Sequence, residues 1–536
     1  MLVKNYIPYL ILLAFLLPTL FFGYTADDRQ YVLNALLSDS YTSGIWDQIV
    51  TTISSATRFF PLHQILYITT FRFFNYDNAW IYHLLLLVLN IGAIYTFSLW
   101  ARRTLGENRV VWLVLALLIA TQFRITYSDP IVSYFGMTQI FSMAFFGGLL
   151  MLEQYFATAR GKYLILWFML VAVQLLIYEL AVFLIPVTLF ALYEHRKVHL
   201  PQVLRCLTGL TILLVTYLLM YYYIKQSVII EYSGTKVSVD AGAIIRTTIY
   251  EAFGSMPLSY GAYLASEKLK FPALYIWGPY LLVLATFIYI LTRNVDFTRN
   301  GFAFRKFSYG LIIWFCAAAS ISLSGRYQEE ILPGLTYLVS YLQNFGFALC
   351  LLSITNWDSK LTKVTIVAAV AATFVMNLMV LNEGLKVDGS KRITLQAVIS
   401  NDLLESYHFD QCIFNEKLLQ NENFFAAQIN QNLGVPIYAK LSEIPELKLE
   451  GTSTGMVLAS SQPYASSYVL IGKYNHALSR LESVTLMTPS RERAVELASV
   501  YRAITIKQFM SRDKILFGFQ LQDPINVQDQ LHGVFR

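Results

Sequence analysis

Residues 79–103 read AWIYHLLLLVLNIGAIYTFSLWARR. No Asp, Glu, Lys or Arg interrupts the run from 79 to 101. At about 1.5 Å per residue, a helix of this length crosses the roughly 30 Å hydrocarbon core of a bilayer. The run stops on Arg102 and Arg103, and basic residues at the end of an apolar span mark the cytoplasmic side. The stretch therefore predicts a transmembrane helix that enters from outside and ends inside.

The same pattern recurs outward from it. Apolar runs lie near 6–23, 109–123, 134–156, 163–177, 180–193, 206–225, 273–291, 308–324, 334–354 and 363–382, which predicts about eleven spans in all. The run at 6–23 follows Lys4 as a signal peptide would, but no A-x-A site follows it, so it reads as a retained first helix. The pair 163–177 and 180–193 is separated only by Tyr178-Glu179. One crossing there instead of two would invert everything that follows.

Composition supports a membrane protein. Of 536 residues, 56% are hydrophobic and only 14% charged, against roughly 25% charged in a soluble domain. So few charges cannot coat a water-facing surface. A disordered chain, a collagen-like repeat and a disulfide scaffold are thereby excluded, and the balance argues against a soluble enzyme. Cys206, Cys316, Cys350 and Cys412 are far apart and form no CxxC pair, so neither a zinc site nor a redox dithiol is indicated.

Charge distribution gives orientation. Lys4, Arg102, Arg103, Arg109, Arg160, Lys162, Arg196, Lys197, Arg205, Arg293, Arg299, Arg305, Lys306, Lys360 and Lys363 fall in one alternating set of loops. The positive-inside rule makes that set cytoplasmic, provided 163–193 crosses twice. The loops 24–78 and 226–272 and the tail 383–536 then lie outside. Loop 24–78 holds amphipathic stretches near 29–38, 45–56 and 62–74, and loop 226–272 holds another at 243–253; such helices suit the interface. After Asn382 the apolar runs become short, as in CIFN, VPIYAK, SVTLM, AITIKQF and ILFGFQL, with helical patterns at 416–432 and 490–502. This predicts a separate α/β or α+β domain at 383–536, following a transmembrane domain at 1–382.

Candidate chemistry gathers at the outer mouths. Asp27-Asp28, in YTADDRQY, follows the first span. The pair reads either as a solvated loop start or helix cap, or as a functional acidic pair. Arg58 opens RFFPL at the end of the same loop and would hold a phosphate or a lipid headgroup. Asp129 stands in Ser128-Asp129-Pro130, as a turn residue or a supporting polar group. Glu179 interrupts two apolar runs, where a carboxylate is costly. Arg326-Tyr327 precedes Pro333-Gly334; Arg326 serves as an interfacial anchor or a phosphate ligand. Glu329 and Glu330 read as solvated loop charges. His195-x3-His199 has metal spacing but sits in a basic inner loop, Tyr221–Tyr223 suit an interfacial aromatic belt, and GTSTG at 451–455 lacks the lysine of a phosphate-binding loop. No metal site is assigned, and no nucleic-acid motif is present.

Taken together, the acidic dipeptide in the first outer loop, RFFPL, the Asp-Pro at the next mouth, Tyr178-Glu179-Leu180-Ala181 with Pro186, and Arg326-Tyr327 with Pro333-Gly334 resemble the GT-C superfamily of polytopic membrane glycosyltransferases. The early Asp-Asp followed by Arg29 is most similar to bacterial O-antigen glucosyltransferases of the GtrII type. Ile177-Tyr178 stands where that pattern often has a basic residue before the glutamate.

The resemblance implies sugar transfer from a polyprenyl-phosphate donor to an extracytoplasmic glycan, lipid or protein acceptor. It places the enzyme in a bacterial inner (plasma) membrane among membrane lipids. Asp27 or Asp28 would act as the general base, Arg326 and Arg58 as donor-phosphate ligands, and Asp129, Glu179 and Tyr327 as support. A divalent metal is left open. A glycan polymerase or ligase, and a lipid-linked oligosaccharide flippase or transporter, are the alternatives. The outer segment 325–333 is short for the polymerase or ligase. The spans carry almost no charge, against the need of the flippase or transporter for charged groups within them.

Overall fold

A computed structural model describes residues 59–74, 79–106, 130–197, 199–226, 237–256 and 303–354 as continuous stretches. It also describes six strands between 411 and 521, and short pieces elsewhere that include Asp28. One compact unit comprises Met1–Leu20 and Thr25–Asn382; the other comprises Phe21–Tyr24 and Glu383–Arg536.

The first unit is helical where described. In chain order its helices are α1 (Pro61–Phe73), α2 (Ala79–Leu105), α3 (Met137–Thr158), α4 (Gly161–Ile177), α5 (Leu180–Phe183), α6 (Ile185–His195), α7 (Leu200–Gln226), α8 (Ala241–Gly254), α9 (Phe304–Ser322), α10 (Gly325–Glu330) and α11 (Ser340–Ile354). Three segments, Trp80–Leu105, Tyr134–Thr158 and Leu200–Ile224, are long and apolar enough to cross a membrane. This is a helical membrane protein. The expected spans 6–23, 109–123, 273–291 and 363–382 lie largely outside the described residues. At 334–354 the helix begins only at Ser340, and the residues before it form a loop that matters below.

The stretch 163–193 resolves into separate helices. Tyr178 is extended (φ −159°, ψ 136°) and closes α4. The chain restarts at Leu180 and breaks again at Leu184, just before Pro186 enters the first turn of α6. Proline fits there because its missing N–H would have no helical partner anyway.

Helices α9 and α11 touch backbone to backbone. A Cβ added at Gly310 would lie 2.7 Å from the Cys350 nitrogen and from the Gly346 oxygen, and one at Gly346 would lie 2.6 Å from the Trp314 nitrogen. Small residues allow such approach where water cannot drive helices together. A ring cluster locks α2, α3 and α11: Phe97 meets Phe345 at 4.7 Å, Phe146 meets Phe345 at 5.3 Å, and Trp100 meets Phe146 at 5.4 Å between centroids. These separations suit edge and offset packing.

Helix α8 is fixed at both ends. Asp240 caps it, accepting from the Gly242 and Ala243 amides at 2.8 and 3.1 Å. Such a cap contributes about 1 kcal/mol. At the other end, Trp314 Nε1 of α9 donates to the Ala252 carbonyl (2.8 Å) and to Ser255 Oγ (3.0 Å).

The second unit holds a mixed sheet of β1 (Gln411–Phe414), β2 (Ile437–Lys440), β3 (Thr454–Ala459), β4 (Val469–Asn475), β5 (Arg480–Thr488) and β6 (Leu516–Leu521), in the order β2-β1-β3-β4-β5-β6. The central pairs are antiparallel, and β1–β2 and β5–β6 are parallel. Parallel neighbours need a crossover of about a dozen residues or more, and both intervals, Phe414 to Ile437 and Thr488 to Leu516, exceed that. CIFN, VPIYAK, SVTLM and ILFGFQL coincide with strands. AITIKQF and the helical patterns at 416–432 and 490–502 lie outside the described residues. Strands β3 and β4 carry no clear alternation and were not anticipated.

Candidate active site

The helices of the first unit run back and forth, so positions along the chain fall at two ends. Helix α2 shows the scale: Tyr82 near its start and Thr104 near its finish are about 33 Å apart at 1.5 Å per residue. The Tyr82 end gathers residue 28, the start of α3, the Tyr178 break, and the chain between α9 and α11.

Asp28 is the centre of this end. It is 0% exposed, which overturns its reading as a solvated loop start. Tyr82 donates its phenol to Asp28 Oδ2 at 2.5 Å, and the Tyr134 amide donates to Oδ1 at 2.7 Å. The Phe135 amide donates in turn to the Tyr82 oxygen at 2.9 Å. Burying a carboxylate costs several kcal/mol, and each hydrogen bond to a charged group returns about 1.5–3 kcal/mol.

The donors come from an unusual turn. Tyr134, Phe135 and Gly136 all have positive φ, at 60°, 42° and 76°. Left-handed backbone costs about 1–2 kcal/mol for each residue with a Cβ. The reward is that successive amides point the same way, a concavity suited to an anion; here the anion is the Asp28 side chain. Glycine suits the third place because its φ of 76° carries no Cβ penalty, and a Cβ at 136 would also push the Leu89 side chain aside, at 2.2 Å from Cδ1.

Neighbouring groups hold the turn. Gln139 Nε2 donates to the Pro130 carbonyl (2.5 Å) and to Asn90 Oδ1 (3.1 Å), while Asn90 Nδ2 reaches the Ile131 carbonyl at 3.3 Å. On the other side, the His63 ring packs edge-on against Phe135 at 4.9 Å.

A tyrosine cluster adjoins the turn. Tyr337, in the loop before α11, hydrogen-bonds through its side chain with Tyr327 and interacts electrostatically with Tyr134 and Tyr178. The rings of Tyr327 and Tyr337 lie 4.6 Å apart. Burial, with these phenols around it, pushes the Tyr337 hydroxyl well above the ordinary tyrosine range, so it stays protonated and able to donate. Glu179 is half-buried and lies close enough to Tyr217 of α7 to interact with its phenol.

The remaining expected residues divide as follows. Tyr327 is buried. Arg326 is a quarter exposed and binds Glu330 Oε1 through Nε at 2.7 Å; Glu329 and Glu330 close α10 rather than standing in a loop, and Glu330 is an i,i+4 ion-pair partner. Asp27, Arg58 and Asp129 lie outside the described residues. The structure thus brings Asp28, Tyr178, Tyr327 and the chain following Pro130 to one end of the helices.

Sequence reasoning missed Tyr82, the turn at 134–136, Tyr337 and Glu251. Glu251 is 0% exposed and accepts the Tyr337 amide with both carboxylate oxygens, at 3.0 and 3.1 Å. Its signal was legible: it is the one acidic residue in α8. The glycine opening the apolar run of α3 was the other available clue.

At the opposite end, Glu194 receives Arg305 through Nε (2.6 Å) and Nη2 (2.9 Å), and the Tyr309 phenol at 2.7 Å. Arg305 Nη1 also caps the Thr104 carbonyl at 2.6 Å. His195 meets Glu153 at 3.2 Å and stacks on Phe156 at 4.2 Å. Among the described residues, no three His, Cys, Asp or Glu side chains converge as metal ligands. Protein-family models, curated proteins and solved structures provide no match to this chain.

Proposed function

We propose that this protein is a GT-C-like glycosyltransferase with about eleven spans. It moves a sugar from a polyprenyl-phosphate donor to an acceptor hydroxyl on the extracytoplasmic side of a bacterial plasma membrane. The observation that carries this reading is the convergence of Asp28, Tyr178 and Tyr327, far apart in sequence, on one end of the helices around a strained turn. Residues held in such sparsely populated backbone conformations cluster at functional sites.

The two carboxylates divide the work. Asp28 has both oxygens engaged by the Tyr82 phenol and the Tyr134 amide, which suits an anchor. Asp27, its chain neighbour, is the general base. It takes the acceptor hydroxyl proton as the acceptor oxygen attacks the anomeric carbon. The bond from that carbon to the phosphate oxygen breaks with its electron pair, and the polyprenyl phosphate leaves. Phosphate is a good leaving group, so no general acid is required. A single displacement inverts the anomeric centre. Arg326 and Arg58 hold the phosphate charge as it develops, with Asp129, Glu179 and Tyr327 shaping the mouth. The domain at 383–536 is extracytoplasmic.

The test is Asp27→Asn, assayed for sugar transfer in membranes containing polyprenyl-phosphate-linked donors. Loss of a general base lowers the rate about 100-fold or more at unchanged protein level. Full activity in this variant removes Asp27 as the base.

A further inference from the structure

Helix α8 belongs to no expected span and carries no motif, yet it presents a fully buried carboxylate to the loop before α11. Glu251 grips the Tyr337 amide with both oxygens, at 3.0 and 3.1 Å. The grip is built from a rigid base. Trp314 ties the Ala252 carbonyl and Ser255 Oγ to α9. The Gln343 side chain of α11, with its amide turned so that both ends are satisfied, donates to the Glu251 carbonyl at 3.1 Å and to Ser255 Oγ at 3.3 Å. Gly254 lets α8 press on the loop itself, since a Cβ there would lie 2.8 Å from the Leu335 oxygen. The residue so held, Tyr337, joins Tyr327, the neighbour of Arg326, to Tyr134, whose amide binds Asp28.

We infer that Glu251 is a positioning residue that fixes the 331–339 loop, and through Tyr337 sets the placement of Tyr327 and Arg326 for the donor phosphate. The role of the loop in donor binding rests on the transferase reading above; the grip of Glu251 on the loop does not.

A carboxylate suits this task better than its amide. Glu251→Gln keeps the shape but replaces one of two acceptors facing a single N–H with a donor. Glu251→Asp keeps the charge one methylene short.

Two measurements on the full-length protein in detergent test the inference. The first is hydrogen exchange of the peptide containing Tyr337. The expected result is at least tenfold faster exchange there in Glu251→Gln and Glu251→Ala, with α2 and α3 peptides unchanged and partial rescue in Glu251→Asp. Unchanged protection at Tyr337 overturns the inference. The second is transfer kinetics with polyprenyl-phosphate sugar. Glu251→Gln is expected to raise the donor KM about tenfold while kcat moves less than threefold, a split that general unfolding does not produce. Faster exchange with an unaltered donor KM overturns the link to the donor. Absence of transfer in the unsubstituted protein counts against the transferase reading, and the exchange experiment still decides what Glu251 holds.

Discussion

Both ends of the helical bundle hold paired carboxylates, half-buried at one end and fully buried at the other, and they satisfy them differently. At the Arg305 end, Glu194 is matched by a guanidinium fork and a phenol carried on helices. At the Tyr82 end, Asp28 and Glu251 accept from the amides of Tyr134 and Tyr337, which belong to irregular chain between helices. A side chain bound to another side chain fastens two helices. A side chain bound to a backbone amide dictates the course of a loop. The first arrangement ties elements that would be helical regardless; the second creates a shape that has no local reason to exist.

That contrast can be broken in order of expected effect. Gly136→Ala should be the most damaging. It adds about 1–2 kcal/mol of left-handed strain to about 1–3 kcal/mol of overlap with Leu89, measured as a lower unfolding temperature in detergent and loss of transfer together. A neutral outcome would mean that the turn is not the organising element. Next, Asp28→Asn should cost about 2–3 kcal/mol, because an amide nitrogen must face one of its donors. Tyr82→Phe should show a milder form of the same defect. Thermal stability and transfer should fall in parallel, unlike the purely kinetic defect expected of Asp27→Asn. Smallest is Arg305→Gln. Arg305 is nearly half exposed, so solvent screens the pair and its loss costs about 0.5–1 kcal/mol. Donor KM and kcat should stay within twofold. A large kinetic defect there would show that the two ends are not separable in function.

The sequence made the helical framework legible because length and apolar content act locally. The run at 79–101 and the interrupted pair around Tyr178-Glu179 both appear as helices with the expected breaks. Asp28 was singled out by its acidic neighbour, but its burial was not foreseen. Burial depends on Tyr82 and Tyr134, each more than fifty residues away, and nothing in YTADDRQY encodes them. The turn at 134–136 was unreadable for the same reason: aromatic residues do not favour positive φ, and only the tertiary hydrogen bonds compensate it. Glu251 was hidden within an amphipathic stretch whose partner is a loop 86 residues further along the chain. In the second unit, runs with alternating apolar residues were visible, whereas β3 and β4 take their place from the strands beside them.

The glycine contact between α9 and α11 has a consequence for ancestry. No other side chain fits at 310 or 346 without parting the two helices, and at 136 any other residue takes on the strain of a positive φ. Gly310 and Gly346 are held by backbone contact, so these two places tolerate the least change. Relatives by descent should therefore keep glycines at 310 and 346 within their apolar helices and at 136 in the left-handed turn that Asp28 holds.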